Sequence, residues 1–205
     1  MVVKWGLPMW ILILRLLGLK SKSGPAPSLP SSPSASKKNS TKEPSIEKKP
    51  YRETRVATPN KSSKSIKPLA IVLHHSGGSY AGGVSWIKNP ASKVSYHCLI
   101  ARDGRRTVFG DDTNRMWHAG ISSYKGKKDA NSWSIGVSFE GDSYQEPLSE
   151  DMIKSAIEYI KPRMEKWGIG LDMVLDHRIV SAPRKNDLNP EEYRKFITRL
   201  KKEVK

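Results

Sequence analysis

The 205-residue chain has a single cysteine, Cys98, so no disulfide can form within it and no cysteine-rich metal knuckle is available. One cysteine also leaves the redox compartment undetermined. Histidine is scarce, with five residues, so any metal site must draw on these and on the acids. Acids are few as well: 20 Asp/Glu stand against 36 Lys/Arg, for a formal net charge of +16 and a pI near 9.9. Long apolar runs are missing. The nearest approach, from Trp5 to Leu19, is interrupted by Arg15 and falls short of the roughly 20 apolar residues a membrane-spanning helix needs.

The positive charge is concentrated at the front. Residues 1–66 hold 13 Lys/Arg and 3 Asp/Glu, whereas residues 67–205 hold 23 and 17. Residues 1–20 read as a signal-like or membrane-anchoring apolar segment, with Lys4 ahead of the apolar stretch and no clear small-residue cleavage site. A cell-envelope location, exported or anchored, is therefore expected, the alternative being a cytoplasmic protein with a surface-associated amphipathic start. Residues 21–66 are rich in Ser, Pro and Lys with almost nothing to bury, which predicts a disordered linker. A basic tail of this kind suits contact with an anionic membrane or wall polymer. It does not suit nucleic-acid recognition, because the charge lies on a segment with no folded surface, and no nucleic-acid partner is expected. The foldable remainder, residues 67–205, is enough for one domain, expected to be a monomer.

Within that remainder, Leu69–Leu73 is a short continuous apolar run ending in His74-His75-Ser76-Gly77-Gly78, as for a buried strand that delivers polar groups at its end. Further strands are predicted over 95–101, 106–109, 134–140 and 173–175, with Asp103-Gly104 as a hairpin signal. Ser149 can cap a helix whose apolar face is Ile153, Ile157 and Ile160, and Pro162 should kink or split it. Asn189, Pro190 and Glu192 read as a capping box opening a last helix with Tyr193, Phe196, Ile197 and Leu200 on one face. The pattern predicts an α/β domain with a central mixed β-sheet flanked by helices, preceded by a disordered N-terminal region.

The chemistry-bearing cluster lies late in the chain, where His177 is followed by Lys185 and Asp187. Taken alone this segment reads as an ordinary surface loop. His74 changes the reading, because both histidines fall at predicted strand ends, and two imidazoles plus one carboxylate leave a fourth tetrahedral position open on a first-row metal.

These segments resemble the type 2 N-acetylmuramoyl-L-alanine amidases, a family that includes phage amidase lysozymes, bacterial anhydro-muropeptide amidases and peptidoglycan recognition proteins. The resemblance is carried by IVLHHSGG around His74, VSYHCLIARDG around Tyr96, MWHAGISSYKG around His118, NSWSIGVSFEG from Asn131 and HRIVSAPRKNDLNP from His177. It implies one zinc ion per chain, held by His74, His177 and Asp187, with Lys185 and Tyr96 as catalytic neighbours. It also implies a substrate groove at His118, with Trp117, His75 and Asn131 as further substrate-binding candidates. Where the anhydro-muropeptide amidases carry a functional glutamate, this chain has Ser138; Glu140, on the same face by strand periodicity, is expected to serve a neighbouring acid-base role. The implied activity is hydrolysis of the bond between N-acetylmuramic acid and L-alanine in peptidoglycan or a muropeptide. The alternative is a peptidoglycan-binding module of the same fold without catalysis.

Overall fold

The computed structural model describes residues 50–204. In chain order the elements are β1 (Glu53–Arg55), β2 (Lys61–Ser65), β3 (Ala70–His75), α1 (Tyr80–Lys88), β4 (Cys98–Ile100), β5 (Arg106–Val108) and β6 (Asn114–Met116). They continue with β7 (Ser123–Tyr124), β8 (Lys127–Lys128), β9 (Ser134–Phe139), α2 (Glu150–Trp167), β10 (Val174–Asp176), α3 (His177–Val180) and α4 (Pro190–Glu203). Six strands form one mixed sheet in the order β1-β5-β4-β9-β3-β10. β4, β9, β3 and β10 run parallel, and β5 turns back antiparallel to β4. The expected α/β architecture with a central mixed sheet is present.

Strand alternation sorts the two faces. On one, Ile71 and Leu73 of β3, Ile135, Val137 and Phe139 of β9, and Cys98 and Ile100 of β4 pack against Met152, Ile153, Ala156 and Ile160 of α2 and Phe196 and Leu200 of α4. On the other lie Ala70, Val72 and His74, with the small residues Ser134, Gly136 and Ser138 beside them in register. The sequence Ser-Ile-Gly-Val-Ser-Phe thus builds the main core with its large residues and a shallow bed with its small ones. Gly136 is required for this bed: a β-carbon there would lie 2.5 Å from Cγ of His118, whose ring rests on the strand.

The Asp103-Gly104 turn joins β4 to β5 as expected, with Gly104 at φ +83°. Ser149 caps α2 by accepting from the Met152 amide, and Asn189 caps α4 by accepting from Glu191. Two details differ from the sequence reading. Glu192 does not close a capping box; its carboxylate accepts the amide of Leu148, tying α4 to the segment before α2. α2 also continues through Pro162. Buried Ile157, Ile160 and Met164 dock the helix on both sides of the proline, and Asp112 clamps its end through Arg163 (2.8 Å) and the Trp167 indole (3.0 Å).

The described fold begins earlier than Lys67, for β1 and β2 lie in the stretch predicted as linker. Their side chains are mostly exposed and charged, so no periodicity announces them. What holds them is main-chain pairing to β5 and β6, together with buried Thr58 and Asn60 bonded to the carbonyl of Ile87. The apolar segment 1–20 and linker residues 21–49 lie outside the described residues.

His97 is a buried structural histidine. Its Nδ1 accepts the Gly136 amide (2.9 Å) and its Nε2 faces the Asn114 carbonyl (2.9 Å), so a neutral ring satisfies both. Burial pushes its pKa from 6.5 down to about 4. The unfolded chain then binds the proton between those values while the folded one does not, so stability falls with pH from about 6.5 and levels near 4. The shift corresponds to about 3 kcal/mol. Urea unfolding from pH 7 to 4 should show this loss, with a slope shallower by about one proton in His97→Asn; identical slopes would refute the assignment.

Candidate metal centre

The parallel pairing of β10 with β3 sets Val174, Leu175 and Asp176 against Ile71, Val72 and Leu73. The next residue on each strand is His177 and His74, so two histidines more than a hundred residues apart in sequence arrive side by side, ring centroids 4.4 Å apart. His177 opens the short helix α3, which Asp176 caps through the Ile179 amide. The loop after α3 brings back Asp187, whose carbonyl accepts the Arg178 amide at 2.7 Å. Nδ1 of His74 lies 3.3 Å from Oδ2 of Asp187, and Nδ1 of His177 lies 3.0 and 3.1 Å from its two oxygens. One ligand atom from each of the three residues falls within 4.8 Å of the others, and all three residues are buried.

The far side of each ring fixes what its near side offers. Nε2 of His177 faces the carbonyl of Ala119 at 3.1 Å, an acceptor only, so in the neutral ring the proton is on Nε2 and Nδ1 keeps its lone pair. His74 reaches the same state through a relay. Nε2 of His118 donates to the carbonyl of Ser134 (3.3 Å), which leaves Nδ1 of His118 to accept from Nε2 of His74 (3.0 Å). The lone pair on Nδ1 of His74 then also faces Asp187. Burial, reinforced by His177 alongside, pushes the pKa of His74 down to about 4, so its ring is neutral at pH 7. Burial alone would raise the carboxyl of Asp187, but hydrogen bonding and charge from His177 and His74, whenever their Nδ1 atoms carry the proton, outweigh it and hold the group below the usual carboxylate range. Three electron-pair donors thus face one another, and each imidazole is oriented from behind by a hydrogen-bond partner. That donor set, with its outer partners, fits a divalent first-row metal.

The Ala119 carbonyl has further donors: the Ser181 hydroxyl (3.1 Å) and the Arg184 guanidinium (2.7 Å) reach it besides His177. It joins the loop of His118 to the loop of Asp187. Asn131 holds the same loop by accepting the amides of His118 (3.0 Å) and Ala119 (2.8 Å).

A groove of about 420 Å³ opens over the cluster. His75, Tyr96, Trp117, His118, Asn131, His177, Lys185 and Asp187 all line it, so these eight sequence candidates are brought together. The Tyr96 ring lies 5.1 Å from that of His74. Burial, then the charge of Asp187, pushes its phenol up to about 12, so it is a hydrogen-bond donor at neutral pH. His75 turns Nδ1 away from the metal position, toward the Ser143 hydroxyl (2.9 Å) and amide (3.1 Å).

Glu140 is not part of this group, which corrects the acid-base role expected of it. Periodicity gave its face, but it lies one residue past the end of β9, where the chain leaves the sheet. Its carboxylate accepts the amide of Tyr80 (2.8 Å) at the start of α1 and that of Arg102 (2.9 Å). There it complements the positive end of a helix. Two contributors escaped the sequence reading, the His118–His74 relay and the Gly136 bed. The alternation of small residues in 134–138 was their one signal.

The profile of the N-acetylmuramoyl-L-alanine amidase family matches residues 64–190. Among curated proteins, the chain is 35% identical over 96 residues to the 1,6-anhydro-N-acetylmuramyl-L-alanine amidase AmpD of Haemophilus influenzae, covering 46% of this chain and 52% of that protein. It is 36% identical over 83 residues to N-acetylmuramoyl-L-alanine amidase A of Achromobacter lyticus, covering 40% and 42%. The chain thus spans about half the length of these relatives. Among solved structures, it superposes on AmpDh3 of Pseudomonas aeruginosa, in complex with anhydromuramic pentapeptide, with a TM-score of 0.59 at 20% identity over 72% of this chain and 64% of that one. The expected placement in the cell envelope is overturned. What overturns it is the recurrence of AmpD-type amidases among the curated relatives. Separately, among the described residues no helix is long and apolar enough to cross a membrane. Export and anchoring are set aside.

Proposed function

The chain belongs to the N-acetylmuramoyl-L-alanine amidase family, and on that premise we propose that it hydrolyses the amide between N-acetylmuramic acid and the L-alanine of the stem peptide, with one zinc ion as cofactor. The observation that carries this reading is the convergence of two oriented imidazoles and a carboxylate in the floor of a groove that also holds Lys185 and Tyr96. His74 and His177 would hold the ion through Nδ1 and Asp187 through its carboxylate. When bound, zinc supplies Lewis acidity and a nucleophile that exists at neutral pH.

The remaining work falls to the chain's own side chains. Amide hydrolysis places negative charge on the carbonyl oxygen, and the Lys185 ammonium at the groove wall is positioned to stabilise it. The Tyr96 phenol, protonated at pH 7, donates a hydrogen bond to the same oxygen or to the attacking water. Trp117 forms part of the wall that limits water around the scissile bond and so strengthens both interactions. Peptidoglycan fragments are the proposed partners, which accords with the muropeptide held by the AmpDh3 neighbour.

The test is product analysis. The zinc-loaded protein, incubated with a muramyl or 1,6-anhydromuramyl tripeptide, should release the sugar acid and a peptide with a free L-alanine amine, resolved by mass spectrometry. Cleavage at a different bond would sink the proposal. Saturable binding without any cleavage would replace it with the binding-module alternative.

A further inference from the structure

One polar group under the groove has no role in the arrangement above. Ser138 is fully buried, and its hydroxyl has no hydrogen-bond partner among the described residues. An unpaired buried hydroxyl is costly, because its lost hydration is not replaced. Its neighbour on the same face, Ser134, is by contrast bonded to the carbonyl of Ala130 at 2.6 Å.

The register determines what lies over Ser138. β9 runs between β3 and β4, and Ser138 pairs with His74 on one side and Leu99 on the other, so the three form one row across the sheet. Tyr96 lies beside that row. Its ring lies 5.1 Å from that of His74 and packs against the buried cluster that contains Leu99. A ring beside His74 and against that cluster lies alongside the row, with its phenol near the Ser138 hydroxyl.

We infer that Ser138 is a positioning residue for the proposed hydrolysis, its hydroxyl donating to the phenol oxygen of Tyr96 so that the phenol's own O–H is directed into the groove. The inference rests on the amidase reading for its catalytic consequence, but the Ser138–Tyr96 bond itself is independent of it. No proton changes owner between the two hydroxyls; Ser138 sets a direction, and Tyr96 makes the contact with substrate.

Two measurements on the zinc-loaded full chain test this. In the first, kcat and KM are determined for wild type, Ser138→Ala, Tyr96→Phe and the double variant. Ser138→Ala should lower kcat about tenfold with KM nearly unchanged, and should cost nothing further once Tyr96 is Phe. Ser138→Thr, which keeps the hydroxyl, should retain most of the rate. Equal losses from Ser138→Ala in both backgrounds would mean a purely structural role and would overturn the inference. In the second, the tyrosine ring carbons are labelled with 13C, and the Tyr96 Cζ resonance is identified by its absence in Tyr96→Phe. That resonance should move in Ser138→Ala and stay near its wild-type position in Ser138→Thr; no movement in Ser138→Ala refutes the contact. If the wild type cleaves no muramyl peptide, the amidase reading fails and the resonance alone decides the Ser138–Tyr96 bond.

Discussion

Replacement of Asp187 by Ala should lower kcat by at least about a thousandfold and should take bound zinc from the proposed one ion per chain to near zero. The carboxylate is the only anionic member of the cluster, and without it two neutral imidazoles remain to hold a dication. The loop should survive, because it is the main-chain carbonyl of residue 187 that accepts the Arg178 amide. The variant should therefore remain folded by circular dichroism while inactive. A strong chelator should take the wild type to the same rate, and added zinc should restore the wild type but not the variant. Metal content by plasma emission and turnover on a muramyl peptide decide the matter together. An Asp187→Ala protein that keeps both metal and rate would show that the three donors are not the ligand set.

Lys185→Met should cost on the order of a hundred- to a thousandfold in kcat, about 3–4 kcal/mol of transition-state stabilisation, with zinc content unchanged. The two effects separate because Lys185 is anchored through its backbone, its amide donating to the carbonyl of Ser181 at 3.2 Å, so truncating the side chain leaves the loop in place. KM should change far less than kcat, since the charge that the ammonium answers exists only as the carbonyl oxygen becomes anionic. Lys185→Arg should recover part of the loss, as it keeps the charge but alters its shape and reach. A Lys185→Met enzyme with full kcat would remove this residue from the mechanism.

Much of the sheet was legible because its strands are buried on both faces. Leu69–Leu73 and Met173–Leu175 announced themselves as apolar runs, the first ending at His74 and the second just before His177. The sequence does not say that the two runs are neighbours; that depends on parallel pairing of β3 with β10, a contact made late in the chain with no local signature. β1 and β2 were hidden for the opposite reason, being held by main-chain bonds while their side chains face solvent. Glu140 and Glu192 mark the limit of local rules. Periodicity and capping patterns gave their neighbourhoods correctly, yet each carboxylate is captured by an amide from a distant segment, Tyr80 and Arg102 in one case and Leu148 in the other.

The Ala119 carbonyl bears on how this centre tolerates sequence drift. The point on which His177, Ser181 and Arg184 converge is a main-chain oxygen, which every amino acid supplies, so no substitution at position 119 can delete it. Position 119 is constrained by the small volume its buried methyl occupies and by the amide it donates to Asn131. Sensitivity to substitution is thereby transferred to the three donors, all of which lie on the same short stretch of chain as Lys185 and Asp187. The orientation of His177 is thus secured within a single segment, whereas His74, Tyr96 and His118 are brought to the site from elsewhere in the chain.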